Sequence, residues 1–168
     1  TTASVFYDKL NKTAGEIADE NEDAIIAHEL FHHWFGNLVT AESWANLALN
    51  EAFANYAEYL WIAHKYGIAA ADKDQMFDQI TYQKGALILH MLRKEVGDEA
   101  FFSSLNLYLK THEFKTAEAH DLRLAFEEIT GRDLNWFFNQ WFLSSGHPML
   151  NVKHTFSGNT LKVNVIQL

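Results

Sequence analysis

Residues 28–32 read HELFH and residues 49–53 read LNEAF, and these two stretches decide which fold and which site the chain can build. On an α-helix, residues four apart lie one above the other on the same face. The imidazoles of His28 and His32 can therefore reach a single metal ion. Glu29 is turned by about 100° from His28, so its carboxylate can flank that ion without binding it, as a general base would.

A third ligand is needed, because a catalytic zinc ion uses three protein ligands and keeps one position open. Glu51 lies on the next predicted helix, and a short antiparallel connection would return it to the two imidazoles. The sequence thus predicts one Zn²⁺ held by His28, His32 and Glu51. The alternative is an exposed helix that carries histidines without a metal.

Composition limits the partners and the ligands. The 168-residue chain has no cysteine, so a metal must be held by histidine or carboxylate side chains. Its net charge of −9 argues against a nucleic-acid partner, which would require clustered lysine and arginine. No stretch approaches the roughly 18 apolar residues of a membrane span. We expect no signal peptide in this stretch, which opens at Thr1, and the sequence does not predict the compartment.

The spacing of glycines and apolar residues predicts a mainly α fold. One helix is expected to begin among the acidic residues 19–23 and to end near residue 35. The further helices are expected over about 49–66, 74–96, 98–111, 116–130 and 133–142, with Asp98 and Thr116 as caps. A short strand is expected at 5–7.

The pattern changes after the single proline, Pro148. Apolar residues alternate from Leu150 to Phe156 and again from Leu161 to Val165, on either side of a Ser-Gly-Asn turn, which predicts a β-hairpin. We therefore divide the chain into a helical unit, 1–148, and a hairpin, 149–168. The hairpin is expected to begin a further β domain.

Residues 28–61 resemble the zinc signature of the gluzincin aminopeptidases, the family of aminopeptidase N and leukotriene hydrolase. The segment WFGNLVT at 34–40 also matches. The resemblance implies a thermolysin-like helical catalytic subdomain in which two histidines and the later glutamate bind zinc, with Glu29 as the base. Ala48 and Ala52 stand where the family commonly has Trp and Gly, and little chemical consequence is expected.

Residues 82–86, YQKGA, resemble a tyrosine motif of the same family. The resemblance implies that the Tyr82 hydroxyl donates a hydrogen bond to the oxyanion of the tetrahedral intermediate. Without the upstream zinc motif, Tyr82 would be interpreted as an ordinary core or surface tyrosine.

Two further residues are candidates for orienting a ligand. Glu58 lies seven residues after Glu51 on the same helical face, where it can accept a hydrogen bond from the second nitrogen of a ligand histidine. Asn55 is the other candidate, and a solvated polar face is the alternative for both. The remaining histidines lack a comparable spacing and are expected on the surface or in the core: His33, His64, His90, His112, His120, His147 and His154.

The chain departs from the family pattern in two places. The family carries a Gly-x-Met-Glu-Asn segment, which binds the free amine of the substrate, just upstream of where this chain begins. We therefore expect that the chain comes from a larger parent protein, whose N-terminal and C-terminal domains are missing here. The stretch from Glu51 to Tyr82 is also shorter than usual, and residues 68–71 resemble a join, either natural or engineered.

The expected function is zinc-dependent hydrolysis of peptides, most simply the removal of N-terminal amino acids. The alternative is a zinc-binding module with weak or no activity, because the amine-binding segment is missing. An epoxide hydrolase like the leukotriene enzyme has no distinguishing residue in this sequence.

Overall fold

A computed structural model of the chain describes residues 23–74, 80–144, 146 and 148–168, with only the backbone for residues 45, 48 and 80–83 and for 72–74. The helices α1 to α6 are Asp23–Phe31, Leu47–Tyr66, Ile68–Asp74, Ile80–Val96, Asp98–Thr111 and Ala119–Thr130. The strands β1 to β4 are Val39–Ala41, Lys115–Ala117, Leu150–Ser157 and Thr160–Gln167. The mainly α prediction is confirmed, and the predicted strand at 5–7 lies outside the described residues.

Helix α2 is the centre of the fold, because it packs against α1, α3 and α4. Its apolar residues recur at helical spacing and fill the core, with Phe53 and Tyr56 each only 1% exposed. The ring of Phe53 stacks on that of Phe35, with 3.8 Å between the centroids. Gly67 ends the helix at positive φ, as predicted.

Helix α1 is shorter than the sequence predicts, since it ends at Phe31 and not near Phe35. Three turn residues follow, and Phe35 forms an isolated bridge with Val39. The N–H of Gly36 donates to the carbonyl of Val39 at 2.9 Å, which closes a tight reversal. The reversal carries the chain from α1 into β1.

The helix predicted over 74–96 is confirmed over Ile80–Val96, and residues 75–79 lie outside the described part of the chain. Helix α3, Ile68–Asp74, includes residues 68–71, which resemble a join in the sequence and were not predicted as a helix. Ala71 of α3 is fully buried in the core. Three consecutive alanines are strong helix formers, and burial of Ala71 stabilises this additional helix.

A parallel pair of short strands replaces the predicted start of a helix at Thr116. Strand β2 pairs with β1, and Thr116 lies opposite Thr40. Helix α6 instead begins after Glu118, which forms a capping box with Asp121. Asp98 is also not a cap, since Gly97 holds that position and the carboxylate of Asp98 accepts hydrogen bonds from Arg93.

The last predicted helix forms only one α-helical turn, Asn135–Phe137, followed by a π-helical turn, Phe138–Phe142. The buried rings of Phe137 and Phe138 anchor this segment against the core. Phe138 and Phe142 stack with 4.7 Å between their centroids. The π-helical turn contacts α4 and α6.

Strands β3 and β4 form the predicted antiparallel hairpin, with Leu150 opposite Gln167 and Ser157 opposite Thr160. All of its residues are exposed. Apolar side chains share one face, since Val152 pairs with Val165. None of the helices in the described ranges is long and apolar enough to cross a membrane.

Candidate metal centre

Three side chains from two helices converge on one point. The Nε2 atoms of His28 and His32 lie 3.2 Å apart. Oε2 of Glu51 lies 3.5 Å from Nε2 of His28 and 3.8 Å from Nε2 of His32. Ligands about 2.0–2.1 Å from a tetrahedral zinc ion are separated from one another by about 3.3 Å. The three atoms are therefore spaced as a shared ion requires.

The helices explain this convergence. His28 lies on α1, and His32 follows the last residue of that helix with its N–H still donating to the carbonyl of His28 at 3.3 Å, so the two imidazoles stay on one face. Helix α2 packs alongside α1 and carries Glu51 in its first half. The side chains are partly exposed, at 17% for His28 and 25% for both His32 and Glu51. The three side chains are therefore in contact with solvent. These three residues form the group of potential metal ligands found within the described parts of the chain.

The second nitrogen of His28 is held by Glu58. Nδ1 of His28 donates to Oε1 of Glu58 at 2.8 Å, which leaves the Nε2 lone pair free for a metal. Burial lowers the pKa of His28, but the hydrogen bond to Glu58 and the charges of Glu51 and Glu29 outweigh it and raise the pKa overall. The carboxylates of Glu58, Glu51 and Glu29 thus favour positive charge near His28, as expected of a site that binds a cation.

The second nitrogen of His32 is held by the backbone. Nδ1 of His32 donates to the carbonyl of Phe35 at 3.2 Å. This contact was not predicted from the sequence, but Gly36 was a possible signal. A Cβ at Gly36 would lie 2.9 Å from the carbonyl oxygen of His32, and its φ of +147° is unfavourable for other residues. Glycine is needed where the chain turns back on His32.

The sequence also proposed Asn55 as a support for a ligand. The described hydrogen bonds of the two imidazoles go to Glu58 and Phe35, so the structure does not place Asn55 in that role. Its Nδ2 atom is buried and has no hydrogen-bond partner among the residues described.

The two predicted catalytic side chains are described to different extents. Glu29 is partly buried on α1, near enough to His28 for its charge to act on that imidazole. Tyr82 lies on α4, and its side chain is outside the described part of the structure. The role of each stays a prediction.

Comparison with known proteins identifies the family. A model of the peptidase family M1 domain matches residues 1–71 and 68–141, which together make up most of the chain. The chain belongs to peptidase family M1. The two M1 matches meet at residues 68–71, where the sequence predicts a shortened connection.

Similar M1 proteins are much longer than this chain. Aminopeptidase M1 of Arabidopsis thaliana is 32% identical, and the match covers 89% of this chain and 20% of that protein. Aminopeptidase N of Lactococcus lactis subsp. lactis is 32% identical, with 82% of this chain and 21% of that protein covered. The chain thus spans about a fifth of the length of the curated relatives that it matches.

Solved structures agree with the M1 fold. Aminopeptidase A of Legionella pneumophila, in complex with aspartic acid, has a TM-score of 0.70 at 25% identity, covering 85% of this chain and 19% of that one. The M1 zinc metallopeptidase of Deinococcus radiodurans has a TM-score of 0.61 at 33% identity, covering 74% and 33%. Zinc is the implied metal, and the donor set of two imidazoles and one carboxylate fits it.

Proposed function

We propose that this chain is the catalytic core of a zinc aminopeptidase, which hydrolyses peptide bonds and releases N-terminal amino acids. The convergence of His28, His32 and Glu51, with Glu29 beside them, is the observation that supports it most strongly. The aminopeptidase names of the M1 relatives support the preference for N-terminal residues. Peptides are the corresponding substrates.

The roles of the metal ligands and of Glu29 are supported by the positions of their side chains, and that of Tyr82 by the resemblance of YQKGA at 82–86 to the tyrosine motif of the family. Zinc bound by His28, His32 and Glu51 would supply a Lewis acid that acidifies water and polarises a carbonyl. Glu29 accepts the proton of the attacking water and returns it to the leaving amine. Tyr82 donates a hydrogen bond to the oxyanion.

Two contacts hold the imidazoles ready. Glu58 and the carbonyl of Phe35 each accept a hydrogen bond from the Nδ1 atom that faces away from the other ligands. They fix the tautomer and the ring orientation of His28 and His32 before any metal arrives. Their role in the proposed reaction is to position the ligands.

The test compares an aminoacyl-arylamide with an N-blocked peptide on the zinc-loaded chain. Cleavage of the arylamide alone is the expected result. Cleavage of both substrates would indicate an endopeptidase that does not bind the free amine, and not an aminopeptidase. Cleavage of neither, with zinc bound, would overturn the proposal in favour of a silent zinc-binding module.

We also propose that residues 149–168 form a unit separate from the helical core of residues 1–148. The exposure of every hairpin residue supports this division. Limited proteolysis tests it, because cleavage between Leu143 and Leu150 should release the hairpin and leave a folded helical fragment. If the helical fragment unfolds once the hairpin has been cleaved off, the division would be contradicted.

A further inference from the structure

Lys84 joins helix α4 to the segment that follows the π-helical turn. Its Nζ donates to the carbonyl of Ser144 at 3.2 Å and to the carbonyl of Gly146 at 3.0 Å. The two acceptors lie 60 and 62 positions further along the chain. A lysine ammonium has three N–H donors, so a single amino group can hold two carbonyls at once. One side chain therefore connects α4 with a distant part of the fold.

The segment that Lys84 contacts is itself attached to the core. The N–H of Leu143 donates to the carbonyl of Phe138 at 3.0 Å, and Oγ of Ser144 donates to the carbonyl of Asn139 at 2.7 Å. The ring of Phe138 is buried, with only 2% of the residue exposed. The end of the π-helical turn is therefore a fixed support, and the ammonium of Lys84 binds α4 to it.

The same part of α4 lies beside the metal centre. Lys84, Gly85 and Glu51 line one cavity of about 350 Å³, and α4 packs along α2. Tyr82 precedes Lys84 by two residues on α4. Backbone hydrogen bonds between successive turns make a helix move as one body. A displacement of α4 at Lys84 is therefore also a displacement of the backbone at Tyr82 relative to the metal ligand Glu51.

We propose that Lys84 is a positioning residue for the hydrolysis, because its two hydrogen bonds hold the α4 backbone at the place that the proposed role of Tyr82 requires. The inference rests on the proposed peptidase function. A donor stabilises an oxyanion only at about 2.7–3.1 Å from the oxygen, so a displacement of roughly 1 Å is enough to slow the reaction. Lys84 thus acts through Tyr82 and not on the substrate itself.

A double-mutant cycle on the zinc-loaded chain tests whether Lys84 acts through Tyr82. K84M keeps most of the apolar stem of the side chain and removes its N–H donors. We expect K84M to lower kcat for an aminoacyl-arylamide by about 10- to 100-fold, with KM changed by less than about threefold. In a Y82F background the same substitution should have little further effect on kcat, since the group through which it acts is already gone. Losses of kcat that multiply in the double variant would overturn the positioning role.

Two further variants separate the hydrogen bonds from a general effect of charge or stability. K84R retains a cation with N–H donors and should recover kcat at least severalfold over K84M. Lys94 is an exposed lysine on the same helix, so K94M is the matched control and should leave kcat unchanged. Zinc content is measured for every variant and should equal that of the original chain. Equal losses of kcat in K84M and K94M would contradict the assignment.

Amide hydrogen exchange tests the anchor without turnover. Exchange reports local opening, so loss of the anchor should expose the segment that Lys84 holds. We expect the N–H of Leu143 and its neighbours up to Gly146 to exchange at least severalfold faster in K84M, and at the original rate in K94M. If no variant cleaves the arylamide but this difference is seen, the peptidase function fails and the anchor stands. If K84M and K94M exchange alike, the Lys84 proposal fails whether or not the chain is a peptidase.

Discussion

Oε1 of Glu58 lies 2.8 Å from Nδ1 of His28, although 30 positions separate the two residues in the chain. The contact crosses from α2 to α1, so it forms only when the two helices have packed. It fixes which nitrogen of His28 carries the proton and points the other toward His32 and Glu51. Folding of the helix pair and preparation of the metal site are therefore the same event.

Glu58→Ala should weaken zinc binding by about 10- to 100-fold, because His28 loses the acceptor that orients its ring. Competition with a zinc-binding dye measures the change. Glu99→Ala is the matched control, since Glu99 is an exposed glutamate on α5. Equal zinc affinities for the two variants would show that the hydrogen bond does not position His28.

Glu29→Gln should retain stoichiometric zinc and lose turnover by at least about 100-fold, because the amide cannot accept the proton that a general base takes. Zinc content and the arylamide assay are measured on the same sample. Full activity of this variant would refute the assignment of Glu29 as the base.

Gly36→Ala should both destabilise the fold and weaken zinc binding, because a Cβ would lie 2.9 Å from the carbonyl oxygen of His32. Gly97→Ala is the control, since Gly97 also has positive φ, but its Cβ would meet no atom within 4 Å. A sparsely populated positive-φ conformation costs on the order of 1–3 kcal/mol in either variant.

The difference between the two glycine variants therefore isolates the close approach to His32. We expect Gly36→Ala alone to lose zinc affinity, as measured by dye competition, and to unfold at a lower urea concentration than Gly97→Ala. If both variants bind zinc like the original chain, Gly36 has no role in holding His32.

Phe53→Ala should lower the free energy of unfolding by about 3–5 kcal/mol, because it leaves a cavity beneath the ring of Phe35. Urea unfolding followed by circular dichroism measures it. Phe156→Ala, at a site 72% exposed, should change stability little. A similar loss in both variants would mean that Phe53 does not anchor the core.

The local part of the site was predictable from the sequence. The spacing of His28 and His32 on a helix, and the helical face shared by Glu51 and Glu58, depend only on the geometry of a helix. The ends of α2 were also close to the prediction. Gly67 ends the helix at positive φ, a conformation that glycine adopts more readily than other residues.

Contacts between distant segments were not predictable in this way. The pairing of Val39 with Lys115 joins two three-residue strands, neither of which has a periodic pattern long enough to detect. Phe35 supports His32 through its carbonyl, and a backbone atom leaves no residue-specific signal in a sequence. The glycine that follows Phe35 could have signalled the close approach there, but in the sequence it indicated only the end of a helix.

Anomalous diffraction at the zinc absorption edge, from crystals of the zinc-loaded chain, tests the shared metal site most directly. We expect one peak per chain, with Nε2 of His28, Nε2 of His32 and an oxygen of Glu51 each about 2.0–2.2 Å away. A zinc peak at other residues, or bound zinc without a peak among these three atoms, would contradict the assignment of the site.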